Sequence, residues 1–440
     1  MNKQKPAIAI KILPLAAIAM LSNVTQAYSL YSQENTNISL DIEAVYGLFS
    51  SEKNYATLGE KSEGESDWQE GYIKYGLSGN HAFNTGASIY AGLNLVSSGT
   101  WGDGDAAGFT NGSERKTNLE DAYIGLRSGN LIPILGEDGL DFSFGRQNFI
   151  IGDGFLINGD ALNFGNAFDG SLNRGGGYWL APRKAFDQTA IVRIGGSEGV
   201  RADLFWLESD NRAQAETELA GINVEQATSA GTFGLAYIHG LGVNERYGYD
   251  YRDGQHTLSL RYQGNAGVEN LFLSGEFVTQ NQGSANVDNV PDADAWYLEA
   301  GWTFTGLPWS PSINYRYASF DEGFDPLFYG FNRGYGTWFQ GEVGGSFAGP
   351  FNSGADIQHL AVKGTPLESL SLGALYFNFS GTEAGMMDGQ ELDLYAEWVA
   401  TPNLIISPLI GFYKPDNSIS TQLGDDGTNI YAQVLAIVPF

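Results

Sequence analysis

Even- and odd-numbered positions carry different chemistry along most of this chain. In the closing segment NIYAQVLAIVPF, residues 429–440, Ile430, Ala432, Val434, Ala436, Val438 and Phe440 are apolar, while Asn429, Tyr431 and Gln433 share the other parity. A two-residue period of this kind gives an extended strand one apolar and one mixed face. Similar segments, bounded by Gly, Asn, Asp or Pro, fall near residues 38–49, 68–79, 86–97, 117–128, 139–147, 187–195, 200–208, 218–227 and 231–240. More follow near 255–263, 268–280, 293–304, 311–319, 355–363, 369–379, 389–400, 403–413 and 428–440, so the pattern predicts eighteen strands.

The connectors between them alternate in length. Short ones include GNHAFNTG, GGSEG, GNAGV, LPWS, GTPLES and TPN; long ones span 50–67, 98–116, 148–186, 241–254, 281–292, 320–354 and 414–427. Short turns on one side and long loops on the other are the layout of an all-β, antiparallel, up-and-down transmembrane barrel between periplasm and exterior. An even strand count returns the carboxyl end to the side of the amino end. Residues 429–440 then form the closing strand, whose terminal aromatic resembles the carboxyl-terminal signature of bacterial outer-membrane barrels. Side-chain parity in residues 295–304 points the same way: Trp296, Leu298, Ala300, Trp302 and Phe304 share one face, and Tyr297, Glu299 and Thr303 the other. A carboxylate opposite that many apolar groups belongs in a lumen, not in lipid. Trp296 and Phe304 are about 26 Å apart at ~3.3 Å per residue. A strand tilt of ~40° reduces that to roughly 20 Å along the membrane normal, near the height of an apolar band with an aromatic girdle at each edge.

Residues 1–27 combine Lys3, Lys5 and Lys11 with the apolar run ILPLAAIAML and small residues at Thr25 and Ala27, the arrangement of a secretory signal peptide cleaved after Ala27. The expected organisation is therefore a leader, 1–27, and one barrel domain, 28–440. Nothing later in the chain reaches the ~20 apolar residues of a membrane helix. With no cysteine, neither disulfides nor thiol chemistry enters the argument. Glycine at 59 residues and aromatics at 13% suit strands joined by many turns. A formal charge of -28 argues against nucleic acid or an anionic lipid surface as partner. Much of that acid sits in connectors such as SEKNYATLGEKSEGESD, where it solvates loops.

A ring of eighteen strands is too wide for its own side chains to fill, so function is sought on the inner face. Alternation places the bases Lys74, Arg127, Arg193, Arg201, Arg261, Arg316 and Lys363 there, with the acids Asp41, Glu43, Glu70, Asp121, Asp141, Asp203, Glu225, Glu276, Glu299, Glu391, Asp393 and Glu397. Such charges either create a transverse field that sorts solutes or pair across strands and stiffen the wall. The long loops 148–186 and 320–354, rich in Gly, Asn and aromatics (GDGFLINGDALNFGNAF, FYGFNRGYGTWF), suit sugar stacking inside the pore or cover outside it.

DFSFGRQNFIIGDG at 141–154, FDPLFYGFNRGYG at 324–336 and LEDAYIGL at 119–126 resemble segments of the alginate-export family of outer-membrane porins. The resemblance implies an eighteen-stranded barrel that passes anionic oligo- or polysaccharide, a monomer, and a basic selectivity position that carries over to Arg146. Guanidinium forks bind carboxylates in a bidentate manner, and uronate sugars carry one carboxylate per residue. Alternation from Phe142 and Phe144 would aim Arg146 at lipid, so a bulge near Gly145 or an early strand end is inferred. Acids outnumber bases on the assigned inner face, which leaves a neutral or mixed small solute as the alternative.

Four histidines are present: His81 in a periplasmic turn, His239 at an outer strand end, His256 on the lipid face and His359 on the lumen face. None reads as part of a catalytic triad, and no metal-ligand cluster appears. The Asp-Gly runs GDGD at 102–105 and GDDG at 424–427 are read as turns, since they lack the full spacing of a calcium loop. The resulting expectation is a non-enzymatic channel in the outer membrane of a Gram-negative bacterium, crossing it many times and needing no cofactor. Its partners would be outer-membrane lipid and lipopolysaccharide, a sugar solute, and the barrel-assembly machinery at the C-terminal strand. The competing class is a plugged barrel whose loops bind an external partner.

Overall fold

In a lipid solvent every backbone N–H and C=O of a spanning sheet must be paired, which leaves no room for an open edge. The computed structural model of the chain describes residues 28–55, 64–166, 168–196, 199–283, 289–330, 333, 340–385, 387–416 and 426–439. Residues 1–27, Phe440 and part of the 424–427 run, together with the expectations placed on them, lie outside these. The strands are β1 (Tyr28–Gln33), β2 (Thr36–Ser51), β3 (Ser66–Ala82), β4 (Ser88–Gly102), β5 (Arg115–Arg127), β6 (Leu140–Gln147) and β7 (Phe186–Ile194). They continue with β8 (Gly199–Glu208), β9 (Glu218–Thr228), β10 (Gly231–Gly242), β11 (His256–Gly264), β12 (Leu271–Asn281) and β13 (Ala293–Thr303). The last are β14 (Ser312–Phe320), β15 (Ala355–Leu367), β16 (Leu370–Ser380), β17 (Gly389–Thr401), β18 (Leu404–Pro415) and β19 (Asn429–Pro439).

Each strand from β2 onward pairs antiparallel with the next, and β19 returns to β2 from Tyr431↔Ser51 to Pro439↔Glu43. Of the 19 strands in the sheet only β1 stands outside this ring, so eighteen close it. That is the closed antiparallel up-and-down barrel the alternation predicts. β1 is an addition the pattern did not reveal, because YSLYSQ carries no apolar alternation. It folds back on β2 from Gln33↔Thr36 to Tyr28↔Leu40 and takes up the edge that β19 leaves bare below Glu43. His81 lies in the last turn-ward residues of β3, paired with Thr36, and not in the turn itself.

Around the ring most outward side chains are apolar. In β13, Leu298 and Trp302 are exposed while Tyr297 and Glu299 are buried inside. Leu298, 63% exposed near the middle of that face, tests the assignment. Leu298→Arg should destabilise the barrel by about 2–4 kcal/mol in lipid. Its denaturant unfolding in vesicles measures this, and an unchanged midpoint would contradict a lipid-facing Leu298.

Strict alternation breaks in β5 and again in β6. The β4–β5 register jumps from Asn94↔Asp121 to Leu95↔Leu119, which leaves Glu120 as an extra residue and buries both Glu120 and Asp121. The β6–β7 register shifts between Gly145 and Gln147, and Gly145 adopts φ 116°. A Cβ at Gly145 would meet the Ala122 carbonyl oxygen at 2.4 Å, so only glycine fits the bend that turns Arg146 inward.

Two loops enter the barrel. The segment 148–185 joins β6 to β7 and the segment 321–354 joins β14 to β15. They pair with each other: Asn158 N–H donates to Phe328 O (2.7 Å), Phe328 N–H to Leu156 O (3.0 Å) and Gly330 N–H to Gly154 O (2.7 Å). Inward aromatics of the wall pack on them. Trp68 of β3 stacks with Phe49 at 5.1 Å and meets Phe347 edge-on at 5.6 Å, and Trp179 lies 5.6 Å from Phe49. The lumen is therefore not uniformly wet and charged. Its outer half holds a dry aromatic cluster, and each large side chain buried there contributes about 1.5–3 kcal/mol.

Candidate functional site

The charges that alternation assigned to the inner wall, joined by others from bulges and loops, fall into three groups by the partners they meet. The first group holds the loops. Glu70 of β3 accepts the N–H groups of Trp179 (3.2 Å) and Leu180 (2.9 Å). Glu391 of β17 accepts those of Glu342 (2.6 Å), Val343 (2.9 Å) and Gly344 (2.6 Å). Glu120 of β5 accepts those of Lys184 (2.7 Å) and Ala185 (2.9 Å). Three carboxylates thereby satisfy seven backbone donors that a loop buried in the lumen would otherwise leave unpaired. Asp393, next inward residue to Glu391 on β17, is fully buried beside it.

The second group pairs across strands. Lys74 Nζ lies 2.5 Å from Asp121, Arg127 Nε 3.3 Å from Asp141, Arg316 Nη1 3.7 Å from Glu299, and Lys363 Nζ 2.6 Å from Glu397. Arg201 and Arg261 both bond Glu225, Asn223 links to Asp203 at 3.0 Å, and Glu276 accepts from Ser259 at 2.5 Å. Arg193 reaches Ser143 at 3.4 Å. Tyr72 donates to Glu43, and Ser78 to Asp41 at 3.0 Å. Although they point inward, the side chains of Lys74, Arg127, Arg201 and Lys363 are 27%, 41%, 44% and 24% exposed. These side chains are solvent-accessible, unlike the aromatic cluster above.

The third group sits at the outer mouth. Arg146 of β6 and Arg174 and Arg183 of the 148–185 loop converge on Asp210, in the loop between β8 and β9. Arg174 Nη2 is 3.1 Å and Arg183 Nη2 3.3 Å from its carboxylate, and Arg146 bonds it as well as Asp187 at 2.7 Å. Arg174 also meets Asp160 at 3.3 Å, and Arg183 meets Glu120 at 3.5 Å. The three guanidiniums are nearly buried, whereas Asp187 and Asp210 are 39% and 34% exposed. The cluster thus offers solvent its acidic side. Three positive charges face four carboxylates, Asp160, Asp187, Asp210 and Glu120, so it is not a bare anion trap. Burial pushes the Asp210 carboxyl up, but Arg174, Arg183 and Arg146 outweigh it and hold the pKa below 3.8. A depressed carboxyl contributes stability that is complete above the ordinary value and lost only as pH falls through the lowered one. Acidification from pH 7 to pH 5 should therefore leave Asp210 charged, so that the difference in reversal potential between wild type and Asp210→Asn is the same at the two pH values.

Arg146 was legible in the sequence because alternation made it anomalous. Glu120 was missed, although the same signal marks it: a charge at a lipid-facing parity requires a bulge. Arg174, Arg183 and Asp210 lie in loops, where parity says nothing. Among the described residues, no group of three or more His, Cys, Asp or Glu is placed to hold a metal ion. At the GDGD run, Asp105 is taken up by the N–H groups of Ala107 (2.9 Å) and Thr110 (2.6 Å), and Asp103 by that of Asp67 (3.2 Å).

No protein-family model matches the chain, and no curated protein matches it. The resemblance to alginate-export porins consequently rests on its short motifs. Solved structures do match in fold. OccK11 (OpdR) of Pseudomonas aeruginosa superimposes with a TM-score of 0.53 at 14% identity, covering 91% of this chain and 95% of its own. OccD3 (OpdP) of the same organism gives 0.54 at 13%, covering 94% of each chain. A BenF-like porin from Pseudomonas fluorescens Pf-5 gives 0.56 at 11%, covering 92% and 98%. At these identities the likeness is one of fold. The chain has the porin-type outer-membrane barrel, and a closed ring of this kind with an apolar outer belt crosses the Gram-negative outer membrane many times.

Proposed function

We propose that the protein is a passive, non-enzymatic porin for small polar solutes. The observation that carries this reading is the solvent accessibility of charged side chains on the inner wall. Lys74, Arg127, Arg201 and Lys363 point into the ring yet keep about a quarter to nearly half of their side-chain surface accessible. A wall of paired charges offers weak, distributed sites, and a channel needs weak binding so that solutes can leave. Small solutes fit better than an alginate-like polymer for two reasons. The described residues of the 148–185 and 321–354 loops pack inside the outer half, and the arginine cluster carries more acid than base. Arg146, Arg174 and Arg183 still favour a carboxylate on the passing solute, provided it competes with Asp210.

Single-channel recording in planar bilayers tests the proposal. Discrete open steps are expected, with block by a monomeric uronate exceeding block by a neutral hexose, and Arg146→Ala narrowing that difference. Absence of open steps would favour a plugged barrel that binds a partner through its loops. Strong block by long uronate chains would restore the alginate-like substrate, and equal block by uronate and hexose in both proteins would remove the carboxylate preference.

A further inference from the structure

Two of the four histidines face each other on the outside of the barrel. His239, near the outer end of β10, is the direct cross-strand partner of His256, the first residue of β11. Gly240 N–H donates to Gln255 O at 2.9 Å, so the neighbouring 239/256 pair falls in the non-hydrogen-bonded class, where facing side chains come closest. The imidazole centroids are 4.5 Å apart and the rings lie within 13° of parallel. Both side chains project outward above the apolar residues Tyr237 and Leu258, at the boundary between lipid and exterior.

The hydrogen bond of His239 fixes which of its nitrogens remains available, and that of His256 is compatible with the same tautomer. His239 Nδ1 lies 3.1 Å from the Gln255 carbonyl oxygen, which only accepts, so Nδ1 carries the proton and Nε2 keeps its lone pair. His256 Nδ1 lies 2.6 Å from the Tyr237 hydroxyl, which can accept an Nδ1 proton in the same manner. An imidazole whose Nδ1–H is held by a carbonyl or hydroxyl is oriented and made more basic at Nε2, the arrangement found behind metal-bound histidines. Elsewhere in the chain the histidines are not so placed: His81 Nδ1 is paired with Thr36 at the periplasmic end, and His359 is stacked on Phe377 in the wall.

We propose that His239 and His256 form a surface site for a divalent transition-metal ion of the copper, nickel or zinc type, with the two Nε2 atoms as ligands. Water completes the coordination, since no third His, Cys, Asp or Glu joins the pair among the described residues. With metal–nitrogen bonds of ~2.0–2.1 Å, the two nitrogens must approach to about 3 Å, so the rings tilt from parallel toward a common point. Binding exchanges metal-bound water for imidazole and changes no oxidation state. The ordinary alternative is an aromatic stack in the interfacial girdle, with no affinity for metal.

The test is titration of the detergent-solubilised full barrel with copper(II) alone, followed by electron paramagnetic resonance. Wild type and His81→Ala are expected to bind one ion per barrel with hyperfine structure from two nitrogens. His239→Ala and His256→Ala should each lose the two-nitrogen signal. Tyr237→Phe, which removes only the hydroxyl behind His256, should bind about tenfold more weakly. Affinity should fall from copper to nickel and zinc. Heat-shifted gel mobility confirms that each variant is folded. Absence of saturable binding in the wild type, or the same signal in both histidine variants, would overturn the site.

Discussion

Asp325→Ala is expected to loosen the outer half of the lumen more than any other single substitution. Asp325 lies in the 321–354 loop with no exposed side-chain surface, and Arg252 opposite is 2% exposed. The pair is bidentate, Nε to Oδ2 at 2.6 Å and Nη2 to Oδ1 at 2.7 Å. Arg252 Nη1 also donates to Gln214 Oε1 (3.0 Å) and Thr217 Oγ1 (3.1 Å), and Gln280 of β12 accepts the Asp325 N–H at 2.9 Å. One ion pair therefore ties together three outer loops and the wall. Removing one partner of a buried pair strands the other charge and costs about 3–5 kcal/mol. The loop should detach, seen as larger and noisier open-channel current and faster proteolysis within 321–354. Replacing both partners by similarly sized apolar residues, Arg252→Met with Asp325→Leu, should recover most of the loss, because no charge is then left buried. Wild-type noise and proteolysis in Asp325→Ala would show that the pair does not hold the loop.

Asp210→Asn should move ion selectivity toward anions. It removes the carboxylate on which three nearly buried guanidiniums converge and turns those cations toward the mouth. A unit charge ~4 Å away in water is worth about 1 kcal/mol, a roughly fivefold change in the probability of anion entry, and less at high salt. Arg146→Ala should move selectivity the other way, because Asp187 and Asp210 then face the mouth with fewer partners. Reversal potentials in a salt gradient measure both. Shifts of the same sign in the two variants would place the cluster off the conduction path.

Much of the architecture was written in the chain. A period of two, interrupted at alternating short and long intervals, is enough for an up-and-down barrel, since each strand must show lipid one face and water the other. The inner charges followed from the same parity. Even the bend at Gly145 was legible, because Arg146 stood where lipid would have been. What failed had specific causes. β1 carries no alternation to be seen, and it forms only because β2 runs on past the end of β19 and needs a partner there. Glu120 was hidden by a one-residue register jump whose opposite strand lies a hairpin away.

Within unbroken strands parity by itself determined which side chains look inward, because that is a property of the local backbone and of the solvent on either side. Only the tertiary structure decided what each inward group does. Glu70 holds the amides of Trp179 and Leu180, 109 and 110 residues further along the chain, whereas Lys74, two pleat repeats away on the same strand and face, pairs with Asp121 and keeps 27% of its side chain exposed. A carboxylate's partner is set by which loop descends beside it, and loop paths depend on the contacts that distant segments make with one another, not on any local period.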